Sequence, residues 1–235
     1  MLHCVPTTIS TQDDLHTLAI AGALEGTAVV ADVQTVGRGS RGRRWTSPAG
    51  GLWLSVLCRP ETEPALEVLS LRMALAVCET LEAALPGLPL RLKWPNDLVL
   101  HERKLGGILC EARWQGGAVG WVAVGIGLNL RNEIPIELSE LAISLRDVMT
   151  APGPGMLAPL VAKAIVRASR SKGVLSEAEL AAFRGRDWLA GRQIVEPAAG
   201  RASGITPRGE LQVADASGLI SLHRSGTVVL GATPG

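Results

Sequence analysis

The sequence predicts an α+β protein, with a mixed-sheet domain that carries helices and a small all-β domain after it. Nearly half of the 235 residues (47%) are apolar, which suffices for a packed core. Short apolar runs of strand length alternate with amphipathic stretches of helical period through most of the chain. From Gly191 onward only short β-prone pieces remain, separated by Gly, Pro and Ser as in small barrels and sandwiches. We therefore predict one domain over residues 1–189 and a second over residues 190–235.

The first part of the chain is predicted to contain a helix, two strands and a longer helix. Ser10-Thr11-Gln12-Asp13 has the composition of a helix N-terminus. Residues 27–34 and 51–58 are predicted as strands, and a loop rich in Gly and Arg, residues 37–44, lies between them. Apolar residues at three- and four-residue spacings then predict an amphipathic helix that stops at Pro86-Gly87.

Shorter elements are predicted over the rest of the chain. Pro95-Asn96-Asp97 is a turn-forming trio between two short strands, and Ala151-Pro-Gly-Pro-Gly marks a break after the sheet. The remaining predicted elements are strands at residues 90–94, 98–100, 105–112 and 117–130, helices at residues 157–171 and 176–189, and five short strands of the second domain at residues 193–195, 204–206, 211–214, 219–222 and 227–230.

Charge, cysteine and histidine patterns exclude several classes of protein. A formal charge of +1 gives no general attraction to DNA or anionic membranes, so neither is an expected partner. The four cysteines form no C-x-x-C pair and the four histidines show no metal-ligand spacing, which predicts no metal bound directly by the protein. The N-terminus lacks a basic segment followed by an apolar run, and the longest uncharged stretch is too short for a bilayer. These patterns predict a cytoplasmic protein without a signal peptide.

The densest chemical signal is the loop G-R-G-S-R-G-R-R-W at residues 37–45. Glycines let a backbone approach a ligand closely, and arginines supply planar, charged donors for phosphate and carboxylate groups. The loop lacks the Gly-Lys-Ser/Thr ending of a Walker A motif. From its residues alone, it is either an anion or nucleotide cradle or a solvated basic loop that contacts RNA backbone.

Two further segments carry polar residues at strand ends. K-W-P-N-D at residues 93–97 is followed by R-K-L-G-G-I-L at residues 103–109, which places two lysines and Asp97 on one rim. Such a set can bind a carboxylate, align phosphates and position an amine nucleophile. G-I-G-L-N-L at residues 125–130 ends an apolar strand with Asn129. Taken singly, the lysines are also compatible with solvated surface positions, Asp97 with a turn, and Asn129 with a simple strand terminus.

Together, these three segments resemble the biotin–protein ligase family. The resemblance extends from Ser10 to the C-terminal β domain, and K-W-P-N-D followed by K-L-G-G is its most specific part. It implies a class II aminoacyl-tRNA-synthetase-like mixed sheet followed by an SH3-like barrel. It also implies that biotin and ATP with Mg²⁺ form biotinyl-5′-AMP, from which biotin passes to a lysine of the biotin carboxyl carrier protein of acetyl-CoA carboxylase.

The resemblance assigns roles residue by residue. Lys104 is expected to hold the biotin carboxylate and the α-phosphate, Asp97 to orient or deprotonate the acceptor lysine, and Trp45 to cover the nucleotide. The residues that it assigns to catalysis are Lys104, Arg38 and Asp97. Those that it assigns to biotin are Ser10, Thr11, Gln12, Gln34, Arg38, Gly39, Ser40 and Lys104. Those that it assigns to the nucleotide are Arg41, Arg43, Trp45, Lys93, Asn96 and Asn129, with Mg²⁺ held through the ATP phosphates.

Two departures from the family pattern modify these expectations. Ser40 stands where the loop more usually has an Arg that helps to retain the adenylate, so either Arg41 replaces that charge or the adenylate is held less tightly. Some members carry an N-terminal helix-turn-helix domain, whereas here the biotin segment already begins at Ser10. We therefore expect a ligase without a repressor role, as a monomer or a homodimer.

Three other functions are compatible with parts of the sequence. A lipoate–protein ligase or octanoyltransferase shares the fold, but K-W-P-N-D and the arginine loop favour biotin. A non-catalytic biotin sensor would explain Ser40, although Lys104, Asp97 and Arg38 argue for activity. A tRNA-acting protein would need a basic face, which a net charge near zero does not favour.

Overall fold

The computed structural model of the chain describes residues 1–60 and 63–231. Residues 232–235 of the predicted second domain therefore lie outside the described part. The strands are β1 (Leu2–Thr8), β2 (Ala28–Gln34), β3 (Leu52–Cys58), β4 (Arg91–Lys93), β5 (Asp97–Leu100), β6 (Arg103–Gln115), β7 (Ala118–Leu128), β8 (Gln193–Glu196), β9 (Gly200–Ile205), β10 (Leu211–Ala214), β11 (Ile220–His223) and β12 (Val229–Leu230). The helices are α1 (Thr11–Ile20), α2 (Glu63–Glu67), α3 (Leu69–Ala84), α4 (Pro154–Ser169) and α5 (Glu177–Arg184), with 3₁₀ turns at Ser40–Gly42, Ile136–Leu138 and Leu145–Asp147.

The strands form two separate sheets. The first has seven strands in the order β1-β2-β3-β7-β6-β5-β4, in which only the β1–β2 pair is parallel among the described strands. The second has five strands in the order β11-β10-β9-β8-β12, all paired in antiparallel fashion. The predicted α+β class is confirmed, with a mixed sheet and a separate small antiparallel sheet.

Both faces of the first sheet are covered near its centre. Every residue of β3 is buried, because α3 and α4 pack on one face of the sheet and α1 packs on the other. Side chains alternate accordingly, since Val56 faces the large core with α3 and α4 whereas Leu57 packs with Leu15 and Trp121 under α1. This two-sided burial explains why β3 is a continuous apolar run.

The second sheet packs directly against the first domain. The Trp94 indole is buried and its Nε1 donates to the Gly209 carbonyl at 2.8 Å. Ile194 and Leu211 of the second sheet belong to the same continuous core as α3 and β5. The K-W-P-N-D segment therefore connects the two sheets as well as lining the site described below.

Several elements differ from the sequence-based prediction, among them an edge strand and a shortened helix. Strand β1, at the edge of the first sheet, was not predicted because its alternate positions are polar or half-exposed. The predicted helix 176–189 ends at Arg184, because the following residues pair with β4: the Leu92 N–H donates to the Arg186 carbonyl at 2.8 Å, and the Trp188 N–H donates to the Leu92 carbonyl at 2.9 Å. In the described residues, no helix is both long and apolar enough to cross a membrane.

Candidate active site

A cleft of about 260 Å³ opens where α1 begins, β2 ends and the arginine loop crosses the sheet. It gathers residues from segments that lie far apart in the chain. Of the fifteen predicted site residues, thirteen line it: Ser10, Thr11, Gln12, Gln34, Arg38, Gly39, Ser40, Arg43, Trp45, Asn96, Asp97, Lys104 and Asn129.

At the α1 end of the cleft, two buried polar atoms have no hydrogen-bond partner among the described residues. The Gln12 Nε2 donates to the Leu109 carbonyl at 3.0 Å, which leaves its Oε1 unpartnered. The Ser10 hydroxyl is likewise unpartnered, and both residues are buried. Because buried polar groups are nearly always paired, these two atoms indicate where a polar ligand group belongs.

Thr11 and Gln34 behave differently, because their polar atoms are already bonded to the protein. The Gln34 Oε1 accepts from the Thr11 backbone N–H at 2.9 Å and from the Thr11 hydroxyl at 3.1 Å. The Gln34 Nε2 donates to the Ser47 hydroxyl at 2.8 Å, and Thr11 Oγ1 lies 2.8 Å from Ser55 Oγ. These contacts hold the start of α1 against β2 and β3.

On the opposite rim of the cleft, Lys104 and Asp97 form an ion pair at the β5–β6 hairpin. Lys104 Nζ lies 2.6 Å from Asp97 Oδ1 and 5.1 Å from the centroid of the Trp45 ring. Asp97 pairs with Gly107 across the hairpin, and a Cβ at Gly107 would lie 3.3 Å from Asp97 Oδ1. Because Gly107 has no Cβ, it leaves room for the Lys104–Asp97 ion pair.

The two predicted asparagines are bonded within the protein. Asn96 Nδ2 donates to the Ile108 carbonyl at 2.6 Å, and the Ile108 N–H donates back to the Asn96 carbonyl at 2.9 Å. Asn129 Oδ1 accepts from Asn132 Nδ2 at 3.1 Å. Both line the cleft, and each stabilises the turn or strand end in which it lies.

Arg38 is held by two carboxylates that the sequence analysis did not single out. Its Nη1 donates to both carboxylate oxygens of Asp13 at 2.7 and 2.8 Å, and its Nη2 donates to Glu111 Oε2 at 3.2 Å. Its Nε is buried and has no partner in the described part of the chain.

The arginine loop is more exposed than the α1 end. Ser40 Oγ accepts from Arg43 Nη2 at 2.9 Å, within the loop itself. Arg41 has φ of 61°, in the left-handed region, and its Nη1 donates to Thr227 Oγ1 of the second sheet domain at 2.6 Å. Arg41 therefore points away from the main cleft.

Arg41 and Lys93 line an adjacent cleft of about 260 Å³ rather than the main one. Lys93 Nζ lies 5.1 Å from the centroid of a Trp188 ring. Burial lowers the pKa of Lys93, which Asp97 opposes and Lys104 reinforces. Arg43 and Asp97 are among the residues that line both clefts, so the predicted cations lie on both sides of the Asp97 carboxylate.

Several cleft residues were missed from sequence. Gly125 and Gly127 lie at alternate positions of β7, and a Cβ would come within 2.8 Å of Gln12 Nε2 at the first and of Trp45 Nε1 at the second. Because residues two apart in a strand lie on the same face of the sheet, the two glycines could have been predicted to face a ligand together. Leu138 and Leu141, after β7, also line the cleft. In the described residues, no group of three His, Cys, Asp or Glu side chains lies together in a way that would hold a metal ion.

The chain is similar to known proteins of one family. A family model described as the biotin/lipoate A/B protein ligase family matches residues 4–129. The bifunctional ligase/repressor BirA of Bacillus subtilis is 42% identical over 141 residues, which cover 58% of this chain and 43% of that protein. The biotin–[acetyl-CoA-carboxylase] ligase of Paracoccus denitrificans is 44% identical over 116 residues, which cover 48% of each chain. The chain thus spans about half the length of these relatives.

A solved structure matches over nearly the whole of both chains. The biotin protein ligase from Aquifex aeolicus in complex with biotin and ATP is similar with a TM-score of 0.84 and 29% sequence identity. The match covers 98% of this chain and 99% of that one, and so includes the second sheet.

Proposed function

Because the chain belongs to the biotin/lipoate A/B protein ligase family, we propose that it is an ATP-dependent biotin–protein ligase. In the first step, a carboxylate oxygen of biotin attacks the α-phosphorus of ATP, and pyrophosphate leaves. In the second step, the ε-amine of an acceptor lysine attacks the acyl carbon of biotinyl-5′-AMP, loses a proton and displaces AMP. Adenylation is needed because a carboxylate is a poor acyl donor.

Two unpartnered buried atoms, Ser10 Oγ and Gln12 Oε1, are the observation that favours biotin as the substrate. The ureido ring of biotin presents two N–H donors and one carbonyl acceptor. Gln12 Oε1 can accept from an N–H, and the Ser10 hydroxyl can donate to the carbonyl or accept from the second N–H. The dithiolane ring of a lipoyl group has no N–H or carbonyl, so it would leave both protein atoms unpaired. An unpaired buried group costs about 1–3 kcal/mol, which favours biotin over lipoate.

The rim opposite α1 is suited to the carboxylate and the phosphate. Lys104 would neutralise the negative charge that builds between the biotin carboxylate and the α-phosphate. Its ion-pair partner Asp97 is 22% exposed at the side chain and lies between the two clefts. In the second step, Asp97 would orient the acceptor amine and accept its proton.

The cations of the arginine loop would complete the nucleotide site. Arg43 lines both clefts, and Trp45 lies beside Lys104. Mg²⁺ would be carried on the phosphates of ATP and would neutralise their charge there. Whether Arg41 and Lys93 contact phosphate stays a prediction.

The name of the Paracoccus relative supports the carrier protein of acetyl-CoA carboxylase as the acceptor. The proposal includes a cytoplasmic location, where ATP and this acceptor are found together, and a ligase that acts as a monomer or homodimer without binding DNA.

The proposal is tested by mass spectrometry of an apo biotin carrier domain that is incubated with the protein, ATP, Mg²⁺ and biotin. We expect one biotin-sized mass gain on the acceptor lysine, and its loss with Lys104→Ala. Lys163→Ala is the matched control, because Lys163 is exposed on α4, outside the main cleft. If the wild-type protein bound biotin but produced no mass gain on the carrier domain, the result would instead support a non-catalytic biotin sensor.

A second variant tests the choice of biotin over lipoate. Gln12→Met keeps the length of the side chain and removes the amide. We expect biotin to bind about 10- to 100-fold more weakly, because a buried ureido N–H loses its acceptor. Isothermal titration with biotin measures this, and a wild-type protein that preferred lipoate in the same assay would contradict the proposal.

A further inference from the structure

A chain of four bonded side chains lies behind the cleft and ends at Arg38. It runs from Trp121 on β7 through His16 on α1 and Glu111 on β6 to Arg38 in the arginine loop, and Asp13 closes it from the other side. His16 and Trp121 are buried. We call these five residues the Arg38 network. The family resemblance assigns a role to Arg38 and to none of the other four.

The direction of each hydrogen bond follows from the chemistry of the groups. The indole of Trp121 can only donate, so His16 Nδ1, 3.0 Å from Trp121 Nε1, must accept. Neutral His16 therefore carries its proton on Nε2 and donates it to Glu111 Oε2 at 3.3 Å. A proton on Nδ1 would point at the indole N–H, so the tautomer is set by Trp121.

The same Glu111 oxygen accepts from Arg38 Nη2 at 3.2 Å, while Asp13 binds Nη1 through both of its oxygens. Carboxylates from α1 and β6 thus hold the two terminal nitrogens of one planar group. A guanidinium that is bonded at both terminal nitrogens has a fixed orientation. Of the three guanidinium nitrogens, Nε is the one that has no partner in the described residues, and it is buried.

Charge balance shows what Arg38 can contribute. One guanidinium faces two carboxylates, so with neutral His16 the cluster has a formal charge of −1. The hydrogen bond from His16, opposed by burial and reinforced by Arg38, lowers the pKa of Glu111, which keeps that carboxylate ionised. Arg38 is therefore not a free cation for a phosphate or carboxylate, and what it can offer a ligand is a directed N–H donor.

We infer that His16 and Glu111 are positioning residues, which orient the Arg38 guanidinium so that its Nε–H donates to an anionic oxygen of the ligand in the main cleft. This inference rests on the proposed function, since the anionic oxygen belongs either to the carboxylate of biotin or to the α-phosphate of biotinyl-5′-AMP. His16 and Glu111 act through Arg38 and do not contact the ligand themselves. Trp121 acts one step further away, through the tautomer of His16.

The test compares two replacements of His16 in the full-length protein. A glutamine can accept from Trp121 through its amide oxygen and donate to Glu111 through its amide nitrogen, whereas a leucine fills the space and does neither. We expect kcat/KM for biotin, measured by pyrophosphate release, to fall about tenfold in His16→Leu and less than about threefold in His16→Gln. If His16→Leu does not fold, as judged by its thermal midpoint, Trp121→Phe takes its place, with an expected fall of about threefold.

A double-mutant cycle separates positioning from packing. In an Arg38→Leu background, His16→Leu should reduce kcat/KM by less than about twofold, because no guanidinium remains to be oriented. Equal effects of His16→Leu and His16→Gln, or a full His16→Leu effect in the Arg38→Leu background, would overturn the inference. A wild-type protein that releases no pyrophosphate with biotin would overturn the proposed function instead.

Discussion

The two ends of the cleft are built in different ways. At the inner end, Ser10, Thr11 and Gln12 are at most 4% exposed, and Thr11 and Gln12 are bonded to strands of the core. At the outer end, Arg41 to Arg44 are exposed, and the side-chain bonds of residues 40–44 run within the loop, to the Thr35 carbonyl just before it, or to Thr227 beside the second sheet. The inner end is therefore formed before a ligand arrives, whereas the outer end can rearrange around one.

The largest effect is expected from a methyl group placed at the inner end. Gly125→Ala would bring a Cβ to 2.8 Å from Gln12 Nε2, and Gln12 is held by Leu109 and surrounded by core. Overpacking of this kind costs about 1–3 kcal/mol, so biotin should bind roughly 5- to 100-fold more weakly. Isothermal titration with biotin measures the change.

The matched control for that variant is Gly127→Ala, two residues along the same strand. Its Cβ would lie 2.8 Å from Trp45 Nε1, but Trp45 belongs to the loop and is only partly buried. Because the loop can shift, we expect biotin affinity to change less than about threefold. Equal losses in the two variants would show that the outer end is as rigid as the inner end.

The next effect concerns the outer end and the unusual Ser40. Ser40→Arg restores the residue that the family more usually has in this loop, and it should slow dissociation of biotinyl-5′-AMP about tenfold through a charge-assisted hydrogen bond. Stopped-flow tryptophan fluorescence measures the off-rate. Ser40→Gln adds length without charge and serves as the control, and an unchanged off-rate in Ser40→Arg would contradict the prediction.

The smallest effect concerns the stability that Glu111 contributes behind the cleft. The folded pKa of Glu111 is lowered from its ordinary value of 4.5, chiefly by the hydrogen bond from His16. Its contribution to stability is therefore present above pH 4.5 and is lost as the pH falls through the folded pKa.

Wild type should accordingly lose more stability than Glu111→Gln when the pH is lowered below 4.5. The difference is expected to be about 1 kcal/mol, as measured by urea unfolding at pH 7 and at successively lower pH. Parallel pH profiles of the two proteins would show that Glu111 is not stabilised in the folded state. No corresponding acid effect is expected for substitutions of Arg41 or Arg44, which do not contact Glu111.

Much of the cleft could be predicted because its residues lie in short, dense segments. The arginine loop, K-W-P-N-D and K-L-G-G each carry several chemically informative residues within nine positions. The apolar period of β3 and of α3 predicted their types, because burial on two faces or on one face leaves a different pattern in sequence. Strand β1 escaped prediction, since an edge strand needs no continuous apolar pattern.

The Arg38 network could not be predicted, because its members are single residues separated by up to 108 positions. A lone histidine in α1 and a glutamate in β6 have no local pattern that connects them. Likewise, nothing in the order of residues shows that Arg41 and Lys93 line the adjacent cleft while Arg43 lines both.

By itself, the sequence determined the fold class, the family and most of the residues at the cleft, because periodicity and dense motifs are local properties. Only the tertiary structure decided which polar atoms remain free for a ligand. Ser10 and Gln12 keep an unpartnered atom, whereas the polar atoms of Thr11 and Gln34 are already bonded within the protein, and Arg38 faces two carboxylates. The physical reason is that a hydrogen-bonding group is satisfied or left open by its neighbours in space, which come from strands and helices far apart in the chain.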